Sequence, residues 1–348
     1  MEDVVCMVCD FYLPNLGGVE AHIFQIAHTI SAGGTKVVIV THEYGEHRGV
    51  VRCKDRPLVT YYLPLPVMWR QNTYPTVVGA FAVLRRLFLF EGVTIVHGHS
   101  SFSTLCHEAL LCASLMSLKT VYTDHSLLEM MDLSNRLVSK ILAFTLSHTR
   151  HAICVSHTCR EHLVCNTLMP PARTSVIPNA VDADHFRPPR TPGPATTIVV
   201  VSRLYWRKGI DLLARTIPRV CARDARATFV IGGDGPMRIH LEEMKDRHNL
   251  SGRVQLLGSV MHPDVPAVLG RGAVFLNCSR TESFCMAILE AASCGLHVVT
   301  TNVGGVPEVL PPSMCDLCNP DPEELAAAVL RALNRPKNNP LVQHQQVW

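Results

Sequence analysis

Charge of one sign is the first thing this sequence does without: 32 lysines and arginines against 29 acidic residues leave a net charge of only +3 over 348 residues. The basic residues are scattered rather than massed, which excludes a nucleic-acid footprint. A small local basic patch remains compatible with an acidic lipid surface. Long apolar runs are missing as well. No stretch of about 18 uncharged apolar residues occurs, and the nearest, 77–90, is broken by Arg85 and Arg86, so these residues are not expected to cross a membrane. The N-terminus runs almost directly into a strand without a basic region or cleavage site, and no signal peptide is expected. Metal-ligand spacing is wanting too. The 18 histidines include no H-E-x-x-H or comparable local grouping, so no metal is expected.

A disulfide framework is also absent from the pattern. The 14 cysteines are spread along the chain and mostly sit inside apolar runs such as 4–9 and 291–295, as buried thiols do in a reducing compartment. Two C-x-x-C spacings, Cys6/Cys9 and Cys315/Cys318, fall in expected strands, where residues three apart point to opposite faces. That arrangement disfavours a redox or zinc site.

What is present is an apolar fraction of 47% with 18% charged residues, enough for two globular cores of ordinary size. Short β-branched runs at 4–9, 36–41, 59–63, 94–97, 120–123 and 152–155 read as strands. Between most of them lie segments of helical periodicity at 19–31, 76–90, 103–116 and 133–147. The proline-rich stretch 178–194 interrupts this rhythm and reads as a connection. Strands then resume at 197–201, 228–231, 254–257, 274–277 and 297–300, with helices at 208–222, 237–248, 264–269 and 284–294. The expected organisation is an α/β domain over 1–180, a linker over 181–195, a second α/β domain over 196–334 and a loose tail over 335–348, with a helix at 321–333 closing the second domain. Alternation of this kind predicts two doubly wound parallel sheets, with ligands at the carboxyl ends of the strands.

Three constellations follow strands and carry chemistry. Gly17 and Gly18 open the first helix, where backbone N–H groups and the helix dipole suit a phosphate. A tight turn needing no ligand explains them equally well, and the spacing is not the G-x-G-x-x-G of dinucleotide binders, which disfavours an oxidoreductase. Arg203 and Lys208 flank the turn Ser202–Gly209, where two fixed cations can neutralise a pyrophosphate; a solvated basic turn is the plain alternative. Glu282 and Glu290 stand eight residues apart, slightly over two helical turns. Glu290 lies in the apolar stretch 286–292, where a carboxylate needs hydrogen-bond donors, and sugar hydroxyls are suitable ones. A capping Glu282 and an internally paired Glu290 would be the structural alternative. Gly233, in Gly232-Gly233-Asp234-Gly235-Pro236, permits close backbone approach, and His125, after Thr123-Asp124, can orient a bound group, although a lone histidine is more often simply packed. His97 and His99 are weaker candidates of the same kind.

Together these motifs resemble the retaining glycosyltransferases of family 4, whose members have the GT-B fold of two Rossmann-like domains facing each other across a cleft. The glycine loop, the R-x-x-x-x-K-G turn, G-G-x-G-P and E-x7-E occur in that family's order. The further segments D-F-x-x-P-N-x-G-G-V-E-x-H, H-S-S-F-S, T-D-H-S-L, V-I-P-N-A-V-D and E-A-A-S-C-G-L are similar to those of its branch devoted to glycosylphosphatidylinositol (GPI) anchors. The resemblance implies transfer of N-acetylglucosamine from UDP-GlcNAc to phosphatidylinositol, with retention and without metal or cofactor, UDP-GlcNAc being a substrate. It implies work alongside other subunits at the cytoplasmic face of the endoplasmic reticulum membrane. By the same resemblance Glu290 would hold the ribose, Glu282 the sugar hydroxyls, Arg203 and Lys208 the phosphates, and Gly17 and Gly18 the diphosphate region. His125 would lie beside the reacting sugar, and Leu257 and Gly258 would border the uracil. Phe284, Cys285 and Met286 join the donor pocket as part of the E-x7-E element.

Members of the branch normally continue into a hydrophobic anchor, which is not evident in 343–348; a non-catalytic scaffold is therefore one alternative. A mannosyltransferase with a lipid acceptor is another, since small pocket changes alter donor choice. Segment 76–90 with Met68, Trp69 and Arg70 reads first as a core helix and its flank, and second as a docking surface for an anionic bilayer.

Overall fold

Strands buried on both faces need apolar residues at every position, and the first run of this chain has them: Cys6, Met7 and Val8 are fully buried. The computed structural model describes residues 3–347 apart from 16, 70, 77–78, 128–132 and 336–339. The chain divides into two compact units, Met1–Asn179 and Ala180–Trp348. In chain order the first contains β1 (Val4–Val8), α1 (Gly18–Ala32), β2 (Lys36–His42), β3 (Gly49–Arg52), β4 (Leu58–Leu63), β5 (Val67–Trp69), β6 (Asn72–Thr73), α2 (Gly79–Glu91), β7 (Ile95–His99), α3 (Thr104–Leu115), β8 (Lys119–Asp124), α4 (Leu133–Ser147), β9 (His151–Cys154), α5 (His157–Thr167) and β10 (Thr174–Val176). The second contains β11 (Thr197–Val201), α6 (Ile210–Arg223), β12 (Thr228–Gly232), α7 (Arg238–Arg247), β13 (Val254–Gly258), α8 (Val265–Leu269), β14 (Val274–Asn277), α9 (Met286–Ser293), β15 (His297–Thr301), β16 (Cys315–Cys318), α10 (Pro322–Leu333) and α11 (Pro340–Val347).

The sheet of the first unit has the order β10-β9-β8-β7-β1-β2-β4-β3, and that of the second β13-β12-β11-β14-β15-β16. All neighbours pair in parallel except β3, which runs antiparallel to β4 and is exposed throughout. In each sheet the chain starts at a central strand, winds outward one way, then returns to the other side of that first strand. The reversal falls between β1 and β7 in one unit and between β11 and β14 in the other, and such a switch point opens a crevice at the strands' carboxyl ends.

Packing follows from amphipathic periodicity. In the second unit Ile210, Leu213 and Ile217 of α6 and Leu325 and Val329 of α10 share one core with Ile198, Phe229 and Leu276 of the sheet. Helix α10 starts sharply because Asp321 accepts hydrogen bonds from the Glu323 and Glu324 N–H groups and Pro322 sits at the first helical position. In the first unit Ile23 and Ala27 of α1 pack on Met7 and Ile39.

Several expectations are corrected. The stretch assigned to a linker folds into the second unit, because Val181 and Phe186 among its prolines are buried and Phe186 O accepts a 2.7 Å hydrogen bond from Ser293 Oγ. Pro340–Val347 of the tail is helical rather than loose, and His344 Nδ1 lies 2.8 Å from Ser293 O; 336–339 and Trp348 lie outside the described residues. The helix expected over 76–90 runs from Gly79 to Glu91 (77–78 are not among the described residues), and it is core on one face only. Leu84 and Phe88 are buried, whereas Val83, Leu89 and Phe90 are exposed. The strands β3, β5, β6 and β10, of two to four residues, were too short to show a period. All 14 cysteines are free thiols, and only Cys53 and Cys165 are exposed.

One glycine is indispensable to the second fold. Gly209 caps α6 with φ 66°, and a Cβ there would fall on the Cys278 carbonyl oxygen. Gly209→Ala is therefore expected to lower unfolding stability by at least about 2 kcal/mol, read from the urea midpoint. Gly252→Ala, where a Cβ meets open space, should change it by less than about 0.5 kcal/mol.

Candidate functional site

At the switch point of the second unit, the loop after β11 and the loop after β14 leave adjacent strand ends. The first loop is pinned by Leu204, fully buried, whose N–H donates to Asp234 O at 2.8 Å. The 3-10 turn Trp206–Lys208 then aims the Lys208 ammonium at the Glu282 carboxylate of the second loop, with which it forms an ion pair. Ser279 Oγ lies 2.7 Å from Glu282 Oε1 and 2.9 Å from Asn277 Oδ1, one hydroxyl proton between two acceptors. Asn277 Nδ2 donates in turn to Thr300 Oγ1 at 2.9 Å, so the network reaches the end of β15.

Burial disfavours the charge on Lys208, but Glu282 more than offsets it and holds the ammonium pKa above its ordinary value. Burial likewise works against the Glu282 carboxylate, and Lys208 and Ser279 reverse the balance to hold it below its ordinary value. Both groups are ionised at neutral pH. Arg203 is exposed beside them, near enough that its charge opposes protonation of Lys208. The three side chains together carry one net positive charge, suited to an anion. Arg280 closes the outer edge, pairing with Asp211 and stacking 4.9 Å over the Trp206 ring.

Downstream of Glu282 the chain buries Phe284, passes through Cys285 at φ 82°, and starts α9 at Met286. A non-glycine residue at that angle costs about 1–3 kcal/mol and is held by its surroundings. Burial, reinforced by Glu282, pushes the Cys285 thiol up to about 12, so it is no nucleophile at neutral pH. Glu290 is buried on α9, yet it is not unpaired: His262 Nε2 lies 3.7 Å from Glu290 Oε1. That carboxylate raises the His262 pKa against the effect of burial. Gly233, at φ 140°, has its Cα hydrogen against Ser202 O, and its N–H donates to Gly258 O at 2.7 Å. Gly233 and Gly258 thus tie the ends of β12 and β13 together, with Leu257 half-buried beside them.

The first unit holds a second cluster at its own switch point. Helix α1 starts at Gly18, with Gly17 preceding it in extended backbone and no capping side chain. Asp10, fully buried just after β1, accepts from Ser103 Oγ and the Leu105 N–H, both at 3.1 Å, and so anchors the start of α3. Burial raises its pKa. His99 Nδ1 lies 3.3 Å from His125 Nε2, and the His22 ring centroid is 4.6 Å from that of His125. His97 Nε2 lies 2.7 Å from Thr123 Oγ1, and the His97 and His99 rings are 4.1 Å apart. Burial holds His22 at about 4 and His97 at about 3, and drives His99 and His125 well below the ordinary range, so all four are neutral.

The structure thus brings Arg203, Lys208, Glu282, Phe284, Cys285 and Met286 to one switch point, with Gly233, Leu257, Gly258 and Glu290 on flanking elements of the same unit. Gly17, Gly18 and His125 belong to the other unit. Sequence reasoning missed His262 as the partner of Glu290 and Ser279 and Asn277 as supports of Glu282. It also missed His22 as a neighbour of His125 and Asp10 as an anchor. Asp10, His22 and Ser103 had a signal, standing within quoted motifs without an assigned role.

Family models match two segments: glycosyl transferases group 1 over residues 195–335 and PIGA (GPI anchor biosynthesis) over 42–132. Among solved structures, sucrose-phosphate synthase from Thermosynechococcus elongatus superposes with a TM-score of 0.75 at 19% identity, over 99% of this chain and 92% of that one. The two Rossmann-like halves have the fold of the GT-B glycosyltransferases, and the chain is a glycosyltransferase. The human A subunit of phosphatidylinositol N-acetylglucosaminyltransferase is 49% identical over 97% of this chain and 70% of its own length. The Arabidopsis thaliana protein of the same name is 48% identical over 99% and 77%. The chain belongs to the family these proteins form, glycosyltransferases of GPI-anchor biosynthesis.

The ion pair predicts a pH signature. Since the Glu282 pKa is lowered on folding, its contribution is complete above the ordinary value of 4.5 and is lost as pH falls through the lower folded value. Lys208, raised on folding, contributes fully below its ordinary 10.5 and loses that contribution as pH rises through the folded value. Glu282→Gln should flatten the part of the acid limb below 4.5 that this pair contributes in urea midpoints measured against pH, leaving the part owed to the buried neutral histidines. An unchanged acid limb would contradict the pairing.

Proposed function

We propose that the protein transfers N-acetylglucosamine from UDP-GlcNAc to the inositol ring of phosphatidylinositol, opening GPI-anchor synthesis. It does so with retention, without a metal on the leaving group, and within a multi-subunit complex at the cytoplasmic face of the endoplasmic reticulum. The observation that carries the donor side is the Lys208–Glu282 pair with exposed Arg203 at the β11/β14 switch point. Membership of the phosphatidylinositol N-acetylglucosaminyltransferase family supports the choice of sugar and acceptor.

In this reading the bond between the anomeric carbon and the β-phosphate oxygen breaks, and UDP departs with its electron pair. Arg203 and Lys208 stabilise the growing phosphate charge. The inositol oxygen bonds to the anomeric carbon on the face that UDP leaves, and its proton passes to the departing phosphate. Glu282 holds sugar hydroxyls while anchoring Lys208, and Glu290 takes the ribose hydroxyls beside His262. Gly17 and Gly18 offer first-turn N–H groups to the diphosphate, and His125 orients the sugar. Leu257 and Gly258 border the uracil, and Gly233, Phe284, Cys285 and Met286 shape the pocket.

Two measurements test the donor side. In the complex coexpressed with its other subunits, Arg203→Ala and Glu290→Ala should each lower kcat/KM by about 100-fold or more with labelled UDP-GlcNAc and phosphatidylinositol. Incorporation from GDP-mannose instead, or an inverted product, would overturn the donor or the retention.

For the acceptor, Met68 and, on α2, Val83, Leu89 and Phe90 are exposed together with Arg85 and Arg86, a combination suited to an anionic bilayer. Arg70 lies outside the described residues. No helix among the described residues is long and apolar enough to cross a membrane. Reversing Arg85 and Arg86 to Glu should weaken sedimentation with phosphatidylinositol vesicles by about tenfold or more. Equal binding would remove α2 from the membrane surface.

A further inference from the structure

We infer that His22, His99 and His125 form a three-imidazole site for a divalent transition-metal ion of the zinc class. Each offers a ring nitrogen, and the three nitrogens lie within 4.8 Å of one another. Two nitrogens at tetrahedral angles about one zinc stand roughly 3.3 Å apart, given Zn–N bonds of about 2.0–2.1 Å. His99 Nδ1 and His125 Nε2 already have that separation, at 3.3 Å. His22, on a different element, α1, offers the third nitrogen within 4.8 Å of these two.

Independent observations point the same way. Nε2 of His22 and Nε2 of His99 are buried with no hydrogen-bond partner, although His99 is fully buried and His22 only 9% exposed. Orphaned buried nitrogens are costly and uncommon, and a ligand that recruits His22 removes one such cost. The imidazoles are neutral, the state that binds metal. The sources of the ligands are stiff: His99 ends β7, His125 follows β8, and the registers of these strands are set by parallel pairing. Three protein ligands leave a fourth position open to water or an anion, as in zinc sites that exchange a ligand. His125 is the partly exposed member of the three beside fully buried His99.

The ion is not placed on the donor phosphates. Its consequence for transfer is inhibitory, because bound metal takes the His125 ring away from the sugar; this consequence alone rests on the reading of His125 proposed above.

The test uses the full chain with the exposed thiols removed as Cys53→Ser and Cys165→Ser, stripped with a chelator and titrated with Co2+ and then Zn2+. One Co2+ per chain with a tetrahedral visible spectrum, displaced by Zn2+, is expected. His22→Gln and His99→Gln should each weaken binding by at least about tenfold, whereas His248→Gln, exposed on the other unit, should not. X-ray absorption should show nitrogen ligands and no sulfur, which reads the site even if His99→Gln folds poorly. Equal affinity in the His22 and His248 variants, or a thiolate-ligated ion, overturns the site. If the ion binds as expected but leaves transfer unaffected, the site stands and the role of His125 at the sugar fails.

Discussion

Glu282 keeps only 12% of its side chain in contact with solvent, and Lys208 only 26%. Removing either charge from water costs several kcal/mol unless the other meets it, so the two loops that carry them cannot move apart without exposing an uncompensated charge. Much of the surrounding geometry serves that contact. Gly209 lets α6 begin against Cys278, the Arg280 N–H donates to Arg207 O at 2.9 Å, and Ser279 and Asn277 support the carboxylate from behind. The result is a charged, pre-oriented strand-end crevice, which costs no reorganisation when an anion arrives.

The first unit solves the same topological problem with different chemistry. Its switch point holds Asp10, buried and satisfied by the start of α3, and four histidines held neutral by burial. One switch point therefore presents fixed charge and the other presents polarisable, uncharged nitrogen. A phosphate suits the first. A sugar hydroxyl or a borderline metal ion suits the second, and under the two proposals above either would engage the same His125 ring.

Much of the fold was legible. The strand and helix expectations coincide with β1, β2, β4, β7–β9 and β11–β15 to within a few residues, and the helix over 133–147 has its observed bounds. These elements are long, periodic and punctuated by glycine or proline, so the local signal is strong. Residues 181–195 misled because proline content was read without Val181 and Phe186, whose burial against the second unit binds the stretch down. The tail misled because a short polar helix gains its stability from the α9 surface, through Ser293, rather than from its own periodicity.

By itself, the amino-acid order determined two successive parallel α/β layers, the chemical types gathered at their strand ends, and the family to which those motifs belong. Each of these rests on interactions within about twenty residues. Tertiary structure alone decided which side chains meet. Lys208 finds Glu282 across 74 residues, Glu290 finds His262 rather than standing alone, and His22, His99 and His125 converge from three elements. Sheet order, set when crossovers reverse direction, brings such ends together, and no local spacing encodes it.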